Sequence, residues 1–176
     1  MFRIIKKSLK TGVVTGRYPE AKTPAPEVSR ETTEKAALFG RSLTIREVDT
    51  GSCNACEMEM NVLANPVYDV ERFGVHIAAS PRHADALVVT GPVTCNMERA
   101  LKDAHKSTPD PKLVIALGDC AIDCGAFKGS YAVTGPVDRH IPVDMRIPGC
   151  PPRPAEIIQA LSALLAKRGQ PSDTTR

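Results

Sequence analysis

Tryptophan is absent from the sequence, and three tyrosines and four phenylalanines are all the aromatic surface it has. A platform for stacking single-stranded bases needs aromatic faces, and a formal net charge of only +3 gives no basic footprint for phosphates. A nucleic-acid partner is therefore not expected. Also missing is any apolar run approaching the ~18 residues of a membrane-spanning helix. The opening MFRIIKKSLK is basic, but it has neither the long apolar core nor the small-residue cleavage site of a secretory signal. These absences together predict a chain kept in the cytoplasm or an equivalent reducing space, where structural disulfides are rare.

What is present is cysteine, six of them in 176 residues. In a reducing compartment their leading explanation is metal or redox chemistry. The length suits about one domain with a real core.

The pattern divides the chain. Residues 1–12 read as a short amphipathic helix, with Phe2, Ile4, Ile5 and Leu9 on one face and Arg3, Lys6, Lys7 and Lys10 around the rest. Residues 13–40 are rich in Pro, Thr and charge and read as an extended tether with little to bury. Residues 41–168 carry the globular pattern, and 169–176 read as a loose tail. LTIREVD alternates like a strand; CNACEMEMNVLAN suits a helix broken at Asn65-Pro66. VHIAAS, ADALVVTG and KLVIALGDC read as strands, NMERALKDAHK as a helix, IPVDMRIPGC as extended, and RPAEIIQALSALLAKR as a C-terminal amphipathic helix. Strands alternating with helices predict an α/β, flavodoxin-like fold with a mainly parallel sheet and helices on both faces. In such sheets functional loops lie at the carboxyl ends of strands, and Cys53, Cys95 and Cys120 all follow predicted strands, with Cys150 after the short extended piece.

Thiolates are soft ligands suited to zinc or iron–sulfur clusters, and a [4Fe–4S] cube takes four. The best four are Cys53, Cys56, Cys120 and Cys150, in the turns TGSCNAC, LGDCA and IPGCPP. Gly, Ser, Asp and Pro there let the backbone approach sulfur closely. Cys95, in GPVTCNM, reads as a small buried hydrophobe. Cys124, four residues after Cys120, reads as a bystander, with replacement of a ligand as the other option. Two other chemistries stay open on spacing alone. A single CxxC fits a thioredoxin-like redox pair, though that leaves Cys120 and Cys150 without a role. A four-cysteine zinc site would make the chain a zinc-stabilised interaction module, although such sites usually pair two CxxC knuckles.

From Gly51 to about Leu165 the chain resembles the 20-kDa, cluster-carrying subunit of complex I and the small subunits of membrane-bound energy-converting [NiFe]-hydrogenases of the formate-hydrogenlyase type. The resemblance is carried by CEMEM, YDVERFGV, ASPRHADALVVTG, NMERAL, KLVIALGDCA and GSYAVTGPVDRHIPVDMRIPGCPPRP, in collinear order. The complex I subunit has two adjacent cysteines at its first ligand motif, whereas Cys53-Asn-Ala-Cys56 has the CxxC form of the hydrogenase branch. The DCAIDC segment departs from the family, which usually has a small or Gly-rich run there.

The resemblance implies one [4Fe–4S] cluster held by Cys53, Cys56, Cys120 and Cys150. It implies electron transfer to or from a catalytic large subunit, with a ferredoxin-type subunit and membrane subunits as further partners. The implied location is peripheral, on the cytoplasmic side of the inner membrane, held through those partners. No turnover is expected from this chain alone. The alternative within the resemblance is delivery of electrons to quinone in NADH:quinone oxidoreductase. Glu59 and Met60 match the Glu-Met after the second ligand, which makes Glu59 the residue implied for any proton route. Arg82 and His83 match a loop that can donate to the cluster or to a partner. His76, His105 and His140 have no metal-ligand spacing and read as surface or packing residues, and Asp138 and Asp144 read as acceptors for backbone donors.

Overall fold

The computed structural model describes residues 2–11, 29–40 and 42–166. Its centre is a five-stranded sheet of β1 (Leu43–Asp49), β2 (Val75–Ile77), β3 (Ala86–Thr90), β5 (Leu113–Leu117) and β7 (Met145–Ile147). The spatial order is β2-β1-β3-β5-β7, and every neighbouring pair is parallel. This is the flavodoxin-like order, which reverses direction beside the first strand. A separate antiparallel ribbon pairs β4 (Val93–Thr94) with β6 (Val133–Gly135).

Why the central strands are central follows from their sequence. All five residues of ALVVT and of LVIAL are buried, as expected of strands covered on both faces. Alternate residues feed opposite layers. Ile45, Val88, Leu113 and Ile115 join one cluster with Met60 and Leu63 of α3 (Ala55–Leu63) and Ile157 and Leu161 of α6 (Pro154–Ala166). Leu87, Val89, Val114 and Ala116 join the other with Leu101 of α4 (Glu98–Ser107) and Ala121 of α5 (Asp119–Asp123).

Three parts differ from the sequence reading. Within the stretch read as tether, α2 (Arg30–Ala37) packs on α6 and β5 and buries Thr32 and Ala36. Its signal is polar: Ser29 Oγ accepts from Thr32 N at 3.1 Å, an N-cap. The Thr32 hydroxyl reaches the Asp144 carbonyl at 2.9 Å, and Lys35 Nζ the Asp144 carboxylate at 2.8 Å. The DCAID run, expected to end a strand, turns into α5, and the β4–β6 ribbon was not anticipated. Residues 13–28 of the tether, and the tail read at 169–176, fall outside the described residues. The N-terminal helix is present as α1 (Phe2–Thr11).

Candidate metal centre at the carboxyl edge of the sheet

Because the five strands run the same way, the loops after β1, β5 and β7 leave from one edge. Cys53 and Cys150 lie in the loops after β1 and β7, Cys120 in the first turn of α5 just after β5, and Cys56 in the first turn of α3. The loop after β1 is built by short hydrogen bonds. Asp49 Oδ1 accepts from Gly51 N and Ser52 N at 2.7 and 2.8 Å, and Ser52 Oγ from Asn54 N at 3.0 Å. The Thr50 hydroxyl donates to the Thr90 carbonyl at 2.8 Å, and that of Thr94 to the Thr50 carbonyl at 2.9 Å, so this loop is fastened to the end of β3. The loops after β5 and β7 clasp each other: Asp119 N donates to Gly149 O at 2.9 Å, and Gly149 N to Asp119 Oδ1 at 2.8 Å. Cys120 and Cys150 each stand one residue beyond that clasp.

Gly118 joins the three loops. Its φ is +88°, and a Cβ there would lie 2.7 Å from Cys56 Sγ and 3.4 Å from Gly149 O. Only glycine lets β5 turn this close to that sulfur. Gly125, at φ +44°, plays the same part for Cys120, whose Sγ would be 3.0 Å from an added Cβ.

The four thiols feel one another. Cys56 is 8% exposed, and its thiol is pushed up to about 12, first by burial, then by Glu57, and then by Cys120, Cys53 and Cys150. Burial also raises Cys120; the Ala126 backbone N–H opposes this, while Cys150, Cys53 and Asp119 add to it. Negative sulfurs gathered in one place repel, and a cationic core placed among them reverses that sign. The edge thus has four soft donors from three loops, cradled by glycines whose side chains would otherwise fill their space, and one amide donating to sulfur. These residues fit an iron–sulfur cluster. Among the described residues no three His, Cys, Asp or Glu side chains close tightly enough on one point to hold a single ion.

The other two cysteines stand apart. Cys95 is exposed, not a buried hydrophobe. It follows β4 directly, past the buried Val93 and the half-buried Thr94. Cys124 is buried, and its thiol is raised by burial first, then by Asp123. Its other electrostatic neighbours are Arg139, Lys128 and Asp138 rather than the four gathered thiols. It sits in the left-handed region at φ 71°, and its N–H donates to Cys120 O at 3.0 Å, which closes α5 with Cys120 in its first turn.

Glu59 is partly exposed on α3. The buried acid is its neighbour Glu57, 7% exposed, which sequence reasoning passed over. Neither Glu57 carboxylate oxygen has a hydrogen-bond partner. Glu47, on β1, faces it: burial raises the Glu47 carboxyl, and the Glu57 and Asp49 charges raise it further. Arg82 and His83 are exposed in a short turn just before β3, at the opposite edge of the sheet from the cysteines. His140 packs between Glu98 and Thr134, with Nδ1 3.4 Å from the Glu98 carboxylate and Nε2 3.1 Å from the Thr134 hydroxyl. Asp144 Oδ2 accepts from Val114 N at 2.9 Å, whereas Asp138 pairs with Arg146 at 3.1 Å instead of a backbone donor.

Residues 53–164 match the family of the NADH ubiquinone oxidoreductase 20 Kd subunit, a span that runs from the first cysteine of the edge to the last turn of α6. The chain is 47% identical over 130 residues to the probable membrane-bound hydrogenase subunit mbhJ of Pyrococcus furiosus, covering 74% of this chain and 78% of that one. It is 44% identical over 125 residues to formate hydrogenlyase subunit 7 of Escherichia coli, covering 71% of this chain and about half (49%) of that subunit. Among solved structures, the membrane-bound sulfane sulfur reductase, an archaeal respiratory membrane complex, superposes with a TM-score of 0.63 at 33% identity, covering 77% of this chain and 76% of that one. The order of the sheet, the three loops at its edge and these matches agree: the chain belongs to the 20-kDa subunit family of NADH:ubiquinone oxidoreductase, whose members are subunits of oxidoreductase complexes.

Proposed function

We propose that this chain is the electron-transfer subunit of a membrane-associated [NiFe]-hydrogenase-like complex, holding one [4Fe–4S] cluster through Cys53, Cys56, Cys120 and Cys150. The observation that carries this is the gathering of those four thiols at the carboxyl edge of one parallel sheet, where Cys56 is raised by the other three. A four-cysteine zinc site usually pairs two CxxC knuckles, whereas this chain offers one such pair and two distant single cysteines, a set that suits a cube, which binds each thiolate at a different iron.

When bound, the cluster supplies one-electron oxidation and reduction, between a ferredoxin-type subunit and the catalytic large subunit. The work of this chain is positional. Cys56 holds the buried side and Cys53 and Cys150 the exposed side, so the centre sits where a large subunit can cover it. The Ala126 N–H on Cys120 Sγ stabilises negative charge on that sulfur, the direction in which a hydrogen bond to sulfur tunes a potential. The Asp119–Gly149 clasp ties together the loops of two ligands, and Thr50 fastens the loop that carries Cys53 to the end of β3. Glu59 is the acid of this chain assigned to a proton route at that interface, on its family position after Cys56. The CxxC spacing favours the hydrogenase branch over quinone reduction, which the family description itself keeps as the second reading. The chain's place is peripheral, on the cytoplasmic face, held by partner subunits; no described helix is long and apolar enough to cross a membrane.

The test is reconstitution of the full chain with iron and sulfide. The expected product is brown, holds about four irons per chain, and is bleached by dithionite. Cys120→Ser abolishes the colour and Cys124→Ser keeps it. A colourless chain with one zinc, or loss of colour in Cys124→Ser alone, overturns the assignment.

A further inference from the structure

The helix α1 lies outside the residues that the family accounts for, and its composition is one-sided. On a helix turning about 100° per residue, Phe2, Ile4, Ile5 and Leu9 fall within less than half of the circumference. Arg3, Lys6, Lys7 and Lys10 share the other side and are exposed. No acid balances them: the first acidic residue in the chain is Glu20.

Such a helix is poorly suited to water. Isolated helices shorter than roughly 12–15 residues are marginal even in alanine-rich sequences, and α1 has ten residues. Its like charges stand at the spacings that meet on a helix surface, Arg3 with Lys6 and Lys7, and Lys10 with both lysines, and such pairs destabilise. No acid lies in its first turn to offset this through the helix dipole. The helix therefore needs an outside surface that is apolar beneath and negative around it. A protein groove would match a narrow apolar stripe with flanks of both signs. A broad apolar face with a basic-only border matches the boundary between lipid headgroups and acyl chains, where lysine stems lie along the apolar layer and their ammonium groups reach phosphates. The helix is about 15 Å long, about half of what spanning requires, so it lies on the membrane.

We propose that α1 is an interfacial helix that docks this chain on an anionic lipid surface, a contact separate from the one that partner subunits make with the metal centre. The test is sedimentation of the full chain with vesicles of equal parts phosphatidylglycerol and phosphatidylcholine, and with phosphatidylcholine alone. Binding is expected to the anionic vesicles, to be released by high salt, and to be accompanied by a gain in helical circular dichroism. The double variant Lys6→Gln/Lys10→Gln is expected to weaken it by about thirtyfold, and Ile5→Ser/Leu9→Ser to abolish it, with the capacity to take up the cluster unchanged in both. No binding, equal binding to both vesicles, or undiminished binding by both variants overturns the proposal. None of these outcomes bears on the cysteine assignment, whose readout is the chromophore.

Discussion

The two edges of the central sheet are built on opposite principles. At the amino edge, carboxylates are consumed by the fold: Asp85 Oδ2 takes Thr44 N at 2.8 Å, and Asp144 takes Val114 N through one oxygen and Lys35 through the other. Lys112 Nζ reaches the carbonyls of His105 and Thr108, both at 3.0 Å. At the carboxyl edge, Asp49 and Asp119 brace the loops in the same way, but the groups those loops carry are left wanting. Cys56 and Cys120 are raised by burial and by the thiols beside them, and Glu57 is buried with both oxygens unpaired. The same strands run through both edges, so the difference lies in the loops. One end is specified for stability. The other is held open for chemistry, and the core between them bears the cost.

The sharpest way to break this contrast is to ask which thiols a ligand covers. In the metal-free chain Cys53, Cys95 and Cys150 are exposed and are expected to be alkylated by iodoacetamide, while Cys124 and Cys56, buried and with raised pKa, resist because the thiolate is the reactive form. Loading the centre is expected to slow Cys53 and Cys150 by at least about a hundredfold and to leave Cys95 unchanged, as read by mass spectrometry of the labelled peptides. Equal protection of Cys95 would place it in the site.

The next effect belongs to the other edge. Asp144→Ala strands the Val114 N–H and frees Lys35, and is expected to lower stability by about 2–4 kcal/mol. The iron content of the reconstituted chain stays the same. If the variant folds but no longer takes up iron, the two edges are not independent, and denaturant melts alongside iron assays decide it.

Much of this was legible in the sequence because the physics that writes the pattern is local. ALVVT and LVIAL announce central strands, since only a doubly covered strand is apolar at every position. The turns TGSCNAC, LGDCA and IPGCPP announce close backbone approach, and the structure places all three at one edge. What the sequence hides is signalled weakly or requires the third dimension. Among the described side chains of α2, Thr32 and Ala36 are the buried ones, so no apolar stripe marks it; its cap at Ser29 is the usable sign. Cys95 reads as a core residue because GPVT precedes it, but the burial stops at Val93: Thr94 is half-buried and Cys95 exposed. Glu57 carries no such signal. Cys56, Met60 and Leu63 define the inward face of α3, and at about 100° per residue residue 57 lies farther from the middle of that face than Glu59 does. Its burial is set by the tertiary structure around the first turn of α3, which periodicity does not show.

That pair of glutamates gives a smaller test. Burying a polar group without a hydrogen bond costs about 1–3 kcal/mol in protein data, so Glu57→Met, which fills a similar volume, is expected to raise the stability of the metal-free chain by that order. Glu59→Gln, at a partly exposed position, stays within about 0.5 kcal/mol. Thermal melts of the two variants separate an acid the fold tolerates for its site from one at its surface. Glu47 sharpens the point through pH. Its carboxyl is held above the ordinary 4.5 by burial and by Glu57, so its contribution is most favourable below 4.5 and turns into a penalty as pH rises through the folded value. Glu47→Gln is expected to gain on the wild type at neutral pH and to lose that gain below 4.5.

The smallest effect lies at the amino edge and has the opposite range. Lys35 is raised above 10.5, chiefly by its hydrogen bond to Asp144, with burial working against it. For a cation raised on folding, the stabilisation is complete below the unfolded value and disappears as pH climbs through the folded one. The side chain is 38% exposed, and water screens the pair, so the effect is about 0.5 kcal/mol. Wild type minus Lys35→Met is therefore expected to be constant from neutral pH up to 10.5 and to shrink above it. A difference that already shrinks just above neutral pH would mean that Asp144 does not hold the ammonium. The division of labour between the two ends of the sheet would then not be the one drawn from their hydrogen bonds.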